Sequence, residues 1–226
     1  MSGFPQLRAT ATHGLSTGSD CLLRPAAALP HDALMHEPFR GSDAITHGLL
    51  TRGQLAGRRW QRLLPDVYVH HEAVPDHTMW CAAALLYLPP GSAISHESAT
   101  SLHGVGLQDR REPLRVTATI PAAKRVRAVD RLSIHRGDLL PGDMVRRRGL
   151  ITTGPLRTAF DLGRGPDAHR AVIALDALLN RGVIRLPALE KSVPAVAGRP
   201  GVARFRRAVA LAPGRAPSRR WKHRCG

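Results

Sequence analysis

Twelve histidines and three cysteines are the residues of this 226-residue chain best suited to hold a metal or serve a nucleophile, and their spacing argues against both uses. His70-His71 with His77, and His96 with His103, are the closest histidine groupings; neither contains a helical i,i+4 pair, and Cys21, Cys81 and Cys225 form no CxxC. No metal and no cofactor is expected. Ser95-His96-Glu97-Ser98 sets a hydroxyl, an imidazole and a carboxylate in a row. Neighbours on a helix do not face one another, so Ser95 is expected to cap a helix rather than attack a substrate. Asp161 and Asp176 sit among apolar residues on helical stretches, where buried ion pairs to Arg157 and Arg181 are the expectation. No Gly-rich phosphate loop is present, and no catalytic residue is assigned.

What remains is arginine. The net charge is +16, from 33 Lys and Arg against 17 Asp and Glu, a balance that favours a polyanionic partner, double-stranded DNA first. Lysine occurs only at Lys124, Lys191 and Lys222, and such an arginine bias is also what GC-rich codons produce. The candidate contacts are therefore local: Arg40, Thr51, Arg52, Gln54, Arg58, Arg59 and Arg62, with Asp43 the sole acid between positions 40 and 62. Such side chains reach phosphates, which fix position without reading sequence. Arg146-Arg147-Arg148 is either a second phosphate contact or a solvated turn, and Trp60 is expected in the core rather than as a base-stacking platform.

These residues need elements to hold them. Ser42 can cap a first helix bearing Ala44 and Ile45, and Thr51 a second, from Thr51 to Ala56. Trp60, Leu63 and Leu64, a Pro65-Asp66 turn and Val67-Tyr68-Val69 then read as a hairpin. That succession outlines a winged helix over residues 37–72, with Thr51 to Arg58 as recognition helix and Arg59 and Arg62 on the wing. Downstream, residues 76–213 read as a mixed domain. Asp76 caps a helix from Met79 to Leu88 that ends at Pro89-Pro90-Gly91, and a short helix runs from His96 to His103. The segments Leu114 to Ile120, Leu132 to His135 and Met144 to Ile151 alternate as strands of an antiparallel sheet. Thr152-Thr153 with Pro155 starts a helix through Leu162; further helices span Asp167 to Arg181, Leu186 to Val193 and Pro200 to Leu211. The fold class is thus α+β. Residues 1–36 read as a disordered or mis-called extension, with Met35 the expected true start, and 214–226 as a disordered basic tail. Odd, scattered cysteines, no secretory signal and no apolar run long enough to span a bilayer point to the cytoplasm and away from a membrane.

Five phrases, in this order, resemble one bacterial family. They are Gly48-Leu-Leu-Thr-Arg-Gly-Gln-Leu55, Arg62-Leu-Leu-Pro-Asp-Val-Tyr-Val69, Ala93-Ile-Ser-His-Glu-Ser-Ala-Thr-Ser-Leu-His-Gly104, Ile151-Thr-Thr-Gly-Pro-Leu-Arg-Thr-Ala-Phe-Asp-Leu162 and Ala174-Leu-Asp-Ala-Leu-Leu179. The family carries a type IV toxin–antitoxin AbiEi-like antitoxin domain, and the likeness extends over residues 36–213. The resemblance implies a DNA-binding, repressor-like antitoxin, with a nucleotidyltransferase-type toxin as the partner to be neutralised. Longer relatives in the family add a domain resembling very-short-patch-repair endonucleases. That chemistry needs clustered carboxylates for Mg²⁺ and a lysine, yet no carboxylate follows Glu190. DNA cleavage is therefore not expected. Two further readings stay open: a non-catalytic targeting remnant of a truncated nuclease, and a toxin-neutralising module that never touches DNA. The ending Arg215 to Gly226 bears on the first: with plausible codons, residues 217–226 read with the frame shifted by two nucleotides spell Glu-Ser-Pro-Met-Glu-Thr, the phrase that opens the nuclease domain in the family, so a frameshift is the expectation there.

Overall fold

The computed structural model describes residues 33–107 and 115–212; the readings made for residues 1–32, for Leu114 and for residues 213–226 lie outside the described residues. The first unit runs α1 (Ala33–His36), β1 (Phe39–Arg40), α2 (Gly41–Thr46), α3 (Arg52–Leu55), β2 (Trp60–Leu64) and β3 (Val67–His70). Its strands form an antiparallel sheet in the order β1-β3-β2, with α2 and α3 inserted between the first and second strands, which is the winged-helix arrangement. Leu34, Phe39, Ala44, Leu50 and Leu55 make its core. Leu34 is wholly buried there, so the expected boundary at residue 36 falls inside the folded unit rather than at its edge.

Local chemistry sets these elements. Thr51 and Gln54 form a reciprocal capping box: Gln54 N donates to Thr51 Oγ1 at 3.2 Å, and Thr51 N donates to Gln54 Oε1 at 2.8 Å. Ser42 does not cap α2 as expected; Arg40 occupies the N-cap position. Ser42 instead binds Asp66 in the hairpin turn, its backbone N donating to Oδ1 at 2.9 Å and its hydroxyl to Oδ2. Asp66 adopts φ 60 as the second residue of the Pro65-Asp66 turn, a conformation that aspartate tolerates better than most residues. The wing tip is thereby folded back onto α2.

The second part runs α4 (His77–Tyr87), β4 (Ala93–Ile94), α5 (His96–Leu102), β5 (Val116–Ile120), β6 (Leu132–Arg136), β7 (Met144–Arg147), β8 (Leu150–Thr153), α6 (Pro155–Gly163), α7 (Ala168–Asn180), α8 (Leu186–Ala195) and α9 (Val202–Leu211). The five strands are ordered β6-β5-β4-β8-β7. The sheet is mixed, not antiparallel as the alternation suggested: β4 pairs antiparallel with β5 but parallel with β8, β5 pairs parallel with β6, and β7 with β8 is a hairpin. Alternation reports that a segment is a strand, not which way its neighbour runs. The central strand, Ala93–Ile94, is too short to show a period at all. Thr152 and Thr153 belong to β8, and α6 begins at Pro155 after Gly154.

Two cores result. Phe160, Leu175, Leu178, Leu189 and Phe205 lead the core among α6–α9, with Phe160 and Phe205 edge to face at 5.3 Å. The other core joins Leu63, Leu64, Val67 and Val69 of the winged unit to Trp80 and Ala84 of α4 and to Ile94, Val116 and Ile120 of the large sheet. Helix α4 therefore lies between the two sheets and packs on both. The change in sequence pattern between residues 72 and 76 is not a gap in packing.

Candidate functional site

The seven candidate DNA contacts separate into two groups. Arg52, Arg58, Arg59 and Arg62 are exposed, and none has an ion-pair partner among the described residues. Arg52 opens α3, Arg58 and Arg59 occupy the turn after it, and Arg62 lies on β2 opposite Tyr68. Thr51, Gln54 and Arg40 are engaged within the fold. Thr51 and Gln54 hold each other in the capping box, and the Arg40 Nε donates to the Leu86 carbonyl at 2.7 Å, tying the winged unit to α4.

The geometry differs from the expected one in one respect. Helix α3 is a single turn of four residues, not a recognition helix through Arg58. Arg62 lies on the β2–β3 hairpin, as expected of a wing residue, and Arg59 immediately precedes β2, while the hairpin tip carries Pro65 and Asp66. The Gly57 that follows α3 cannot gain a side chain freely, because a Cβ there would lie 3.1 Å from the Gln54 carbonyl oxygen; the chain turns too tightly for the helix to continue.

A second constellation lies in the other half of the molecule. The β5–β6 face and the helices α6, α7 and α9 enclose a cleft of about 1010 Å³. Thr117, Ser133 and His135 present from the sheet, His96 and Glu97 from α5, and Arg164 and Arg204 from the helical wall. The His96 and His135 rings stack 4.0 Å apart at 20°. His96 is the first residue of α5 yet has φ 51, a left-handed conformation that costs a non-glycine residue on the order of 1–3 kcal/mol. Ser95 holds the N-cap position of α5 as expected, but its side chain makes no cap bond. Its hydroxyl, fully buried, lies 2.9 Å from His96 Nδ1 and accepts from Thr119 Oγ1 at 2.9 Å. The adjacent pair thus does interact, contrary to the sequence expectation, because the positive φ turns the imidazole back over its neighbour.

Both rings are held neutral at physiological pH. Burial chiefly, with the neighbouring His135, Arg164 and Arg157, pushes His96 down to about 3. Burial also lowers His135, opposed by Asp161. Below them runs a buried ionic chain. Arg157 Nε pairs with Asp161 Oδ2 at 3.0 Å, as expected from sequence, and its Nη1 with Asp143 Oδ2 at 2.8 Å. Arg164 Nη2 stands 3.0 Å from Asp161 Oδ1, but out of line for a hydrogen bond. Asp176 departs from expectation: it accepts from Asn180 Nδ2 at 3.0 Å rather than pairing with Arg181.

Elsewhere, Arg148 and Gly149 form the β7–β8 hairpin turn with φ 49 and φ 77, and Arg146 Nη1 donates to the Gly149 carbonyl at 2.7 Å. Trp60 packs edge to face on Phe39 at 5.1 Å, in agreement with a core role. The Cys81 thiol is buried, and burial raises it to about 12; it lies 3.6 Å from His77 Nε2. Among the described residues no three of His, Cys, Asp and Glu converge as a metal site requires, and no helix is long and apolar enough to cross a membrane.

Sequence reasoning missed the cleft. Its residues come from positions 96 to 204, and nothing in their local spacing announces that they meet. The one local signal was the Ser95-His96-Glu97 triplet, set aside on the assumption of regular helical geometry.

No family model and no curated protein matches this chain. Among solved structures it is similar to the crystal structure of the RV2827C protein from Mycobacterium tuberculosis, with a TM-score of 0.52 and 18% identity over 78% of this chain and 72% of that one. At that identity the likeness speaks for the α+β fold alone.

Proposed function

We propose that the chain is a non-catalytic, DNA-binding protein of repressor-like character whose contact surface is Arg52, Arg58, Arg59 and Arg62. The observation that carries this reading is that the four guanidinium groups are exposed on one winged-helix unit and unpaired among the described residues. Unpaired arginines beside one another repel unless a polyanion neutralises them, and their forked donors suit phosphate oxygens.

A one-turn α3 alters the mechanism expected from the sequence. Thr51 and Gln54 are occupied by capping and Gly53 has no side chain, which leaves Arg52 as the polar reach of that helix. The contact is therefore chiefly with the backbone, and base selection is confined to what Arg52 touches. The antitoxin role rests on the family resemblance, with a nucleotidyltransferase-type toxin as the second partner.

The test is a gel-shift titration with the gene's own upstream region across a range of salt. Four phosphate contacts give a log–log slope of about −3.6, at about 0.9 per phosphate, and Arg58→Ala with Arg62→Ala should flatten it by about 1.8. Unchanged affinity and slope in the double variant at low salt would remove this surface from the reading. A nucleotidyltransferase gene beside this one, whose product the protein neutralises, would support the antitoxin role.

A further inference from the structure

We propose that the cleft between the β5–β6 face and helices α6, α7 and α9 binds a nucleoside polyphosphate, its base against the His96–His135 stack and its phosphates between Arg136 and Arg204. Four observations lead there. At about 1010 Å³ the cleft lies at the upper end of small-molecule sites, too large for a lone phosphate. Its lining combines hydroxyl and imidazole groups of the sheet, Arg136 of β6 and Arg204 of α9, and apolar Leu162, Ile173 and Ala174 of the helices. Of its three acids, Glu97, Asp161 and Asp167, the last two face other duties. Asp161 Oδ2 is held by Arg157, and the Asp167 carboxylate accepts from His169 N and Arg170 N at the start of α7. The side chains of Arg136 and Arg204 are exposed and have no ion-pair or hydrogen-bond partner among the described residues.

The imidazole pair supplies the selectivity. Two neutral rings stacked 4.0 Å apart offer a flat polarisable surface, and the burial of His96, with its Nδ1 2.9 Å from the Ser95 hydroxyl, holds one of them in place before any ligand arrives. Thr117 and Ser133 hydroxyls beside them can donate to or accept from a base edge. A purely apolar ligand would leave these groups and the arginines without partners, so it does not fit.

The site is independent of the DNA surface, and the experiment separates them. Full-length protein is titrated calorimetrically with ATP, GTP, CTP, UTP and inorganic pyrophosphate at low salt. At least one nucleotide should bind saturably below about 1 mM, a free energy beyond about 4 kcal/mol. Arg136→Glu with Arg204→Glu should weaken it by at least about tenfold, because two charge-assisted contacts become repulsive. Arg58→Ala with Arg62→Ala should leave it unchanged. Photolabelling the wild type with an azido-base nucleotide should mark peptides containing His96 or His135, which guards against misfolding of the charge-reversed variant. Pyrophosphate binding as tightly as every nucleotide, absence of saturable binding, or label confined to residues 52–62 would each overturn the proposal.

Discussion

Arg157 is the residue on which most buried charge converges. It bridges Asp161 and Asp143 and donates to the Asp138 carbonyl at 2.9 Å while only 8% exposed. Arg157→Leu leaves Asp161, 2% exposed, with a single misaligned partner, and should destabilise by about 3–5 kcal/mol in urea unfolding. A second prediction concerns pH. A free histidine titrates near 6.5, whereas folded His96 lies at about 3 and His135 is also lowered. The unfolded chain therefore binds more protons below pH 6.5. The contribution is fully present above 6.5 and is lost as pH falls from there towards 3, at a limiting slope of about 1.4 kcal/mol per pH unit per histidine. Arg157, Arg164, Asp161 and Glu97 surround the pair, and the window in which the histidine contribution is read is pH 6.5 to 5. His135→Leu should flatten the stability profile in that window; an unaltered slope would show that this ring titrates normally.

At the scale of elements, α3 is the most delicate. A helix of four residues cannot persist on propensity alone, and the Thr51–Gln54 capping box is what defines it. Thr51→Ala should cost about 1 kcal/mol in chemical denaturation, and should weaken DNA binding by freeing Arg52 from its fixed start position. Gly163 marks the opposite situation, close packing with no slack. A Cβ there would come within 2.5 Å of Phe205 Cδ2, so Gly163→Ala should destabilise by about 1–3 kcal/mol through displacement of α9. Legibility follows from range. Caps at Thr51 and Asp76, the Pro65-Asp66 turn and Pro155 at a helix start are local chemistry and are readable in sequence. The direction of β5 against β6, the two-residue β4 and the back-turned His96 depend on partners at least 16 residues away, and no local pattern reports them. The DNA-contact arginines were readable as a charge cluster; that Arg40 would be spent on Leu86 was not.

Across the whole molecule, the net charge of +16 does not measure the binding surface. Arg157 and Arg164 are neutralised internally, and Arg136 and Arg204 point into the cleft rather than beside Arg52. The salt slope should therefore track the exposed cluster, not the total. The two sheets should also unfold together. Far-UV circular dichroism and hydrogen exchange of the β3 amides in urea should share one midpoint; two separated midpoints would show that α4 couples them weakly. That shared helix has a practical result for anyone wishing to move the winged unit into another protein. Cut at residue 72, it would carry Leu63, Leu64, Val67 and Val69 uncovered and would stick to whatever it met. The smallest portable piece extends through Tyr87, and its new host must supply an apolar surface for the far side of α4.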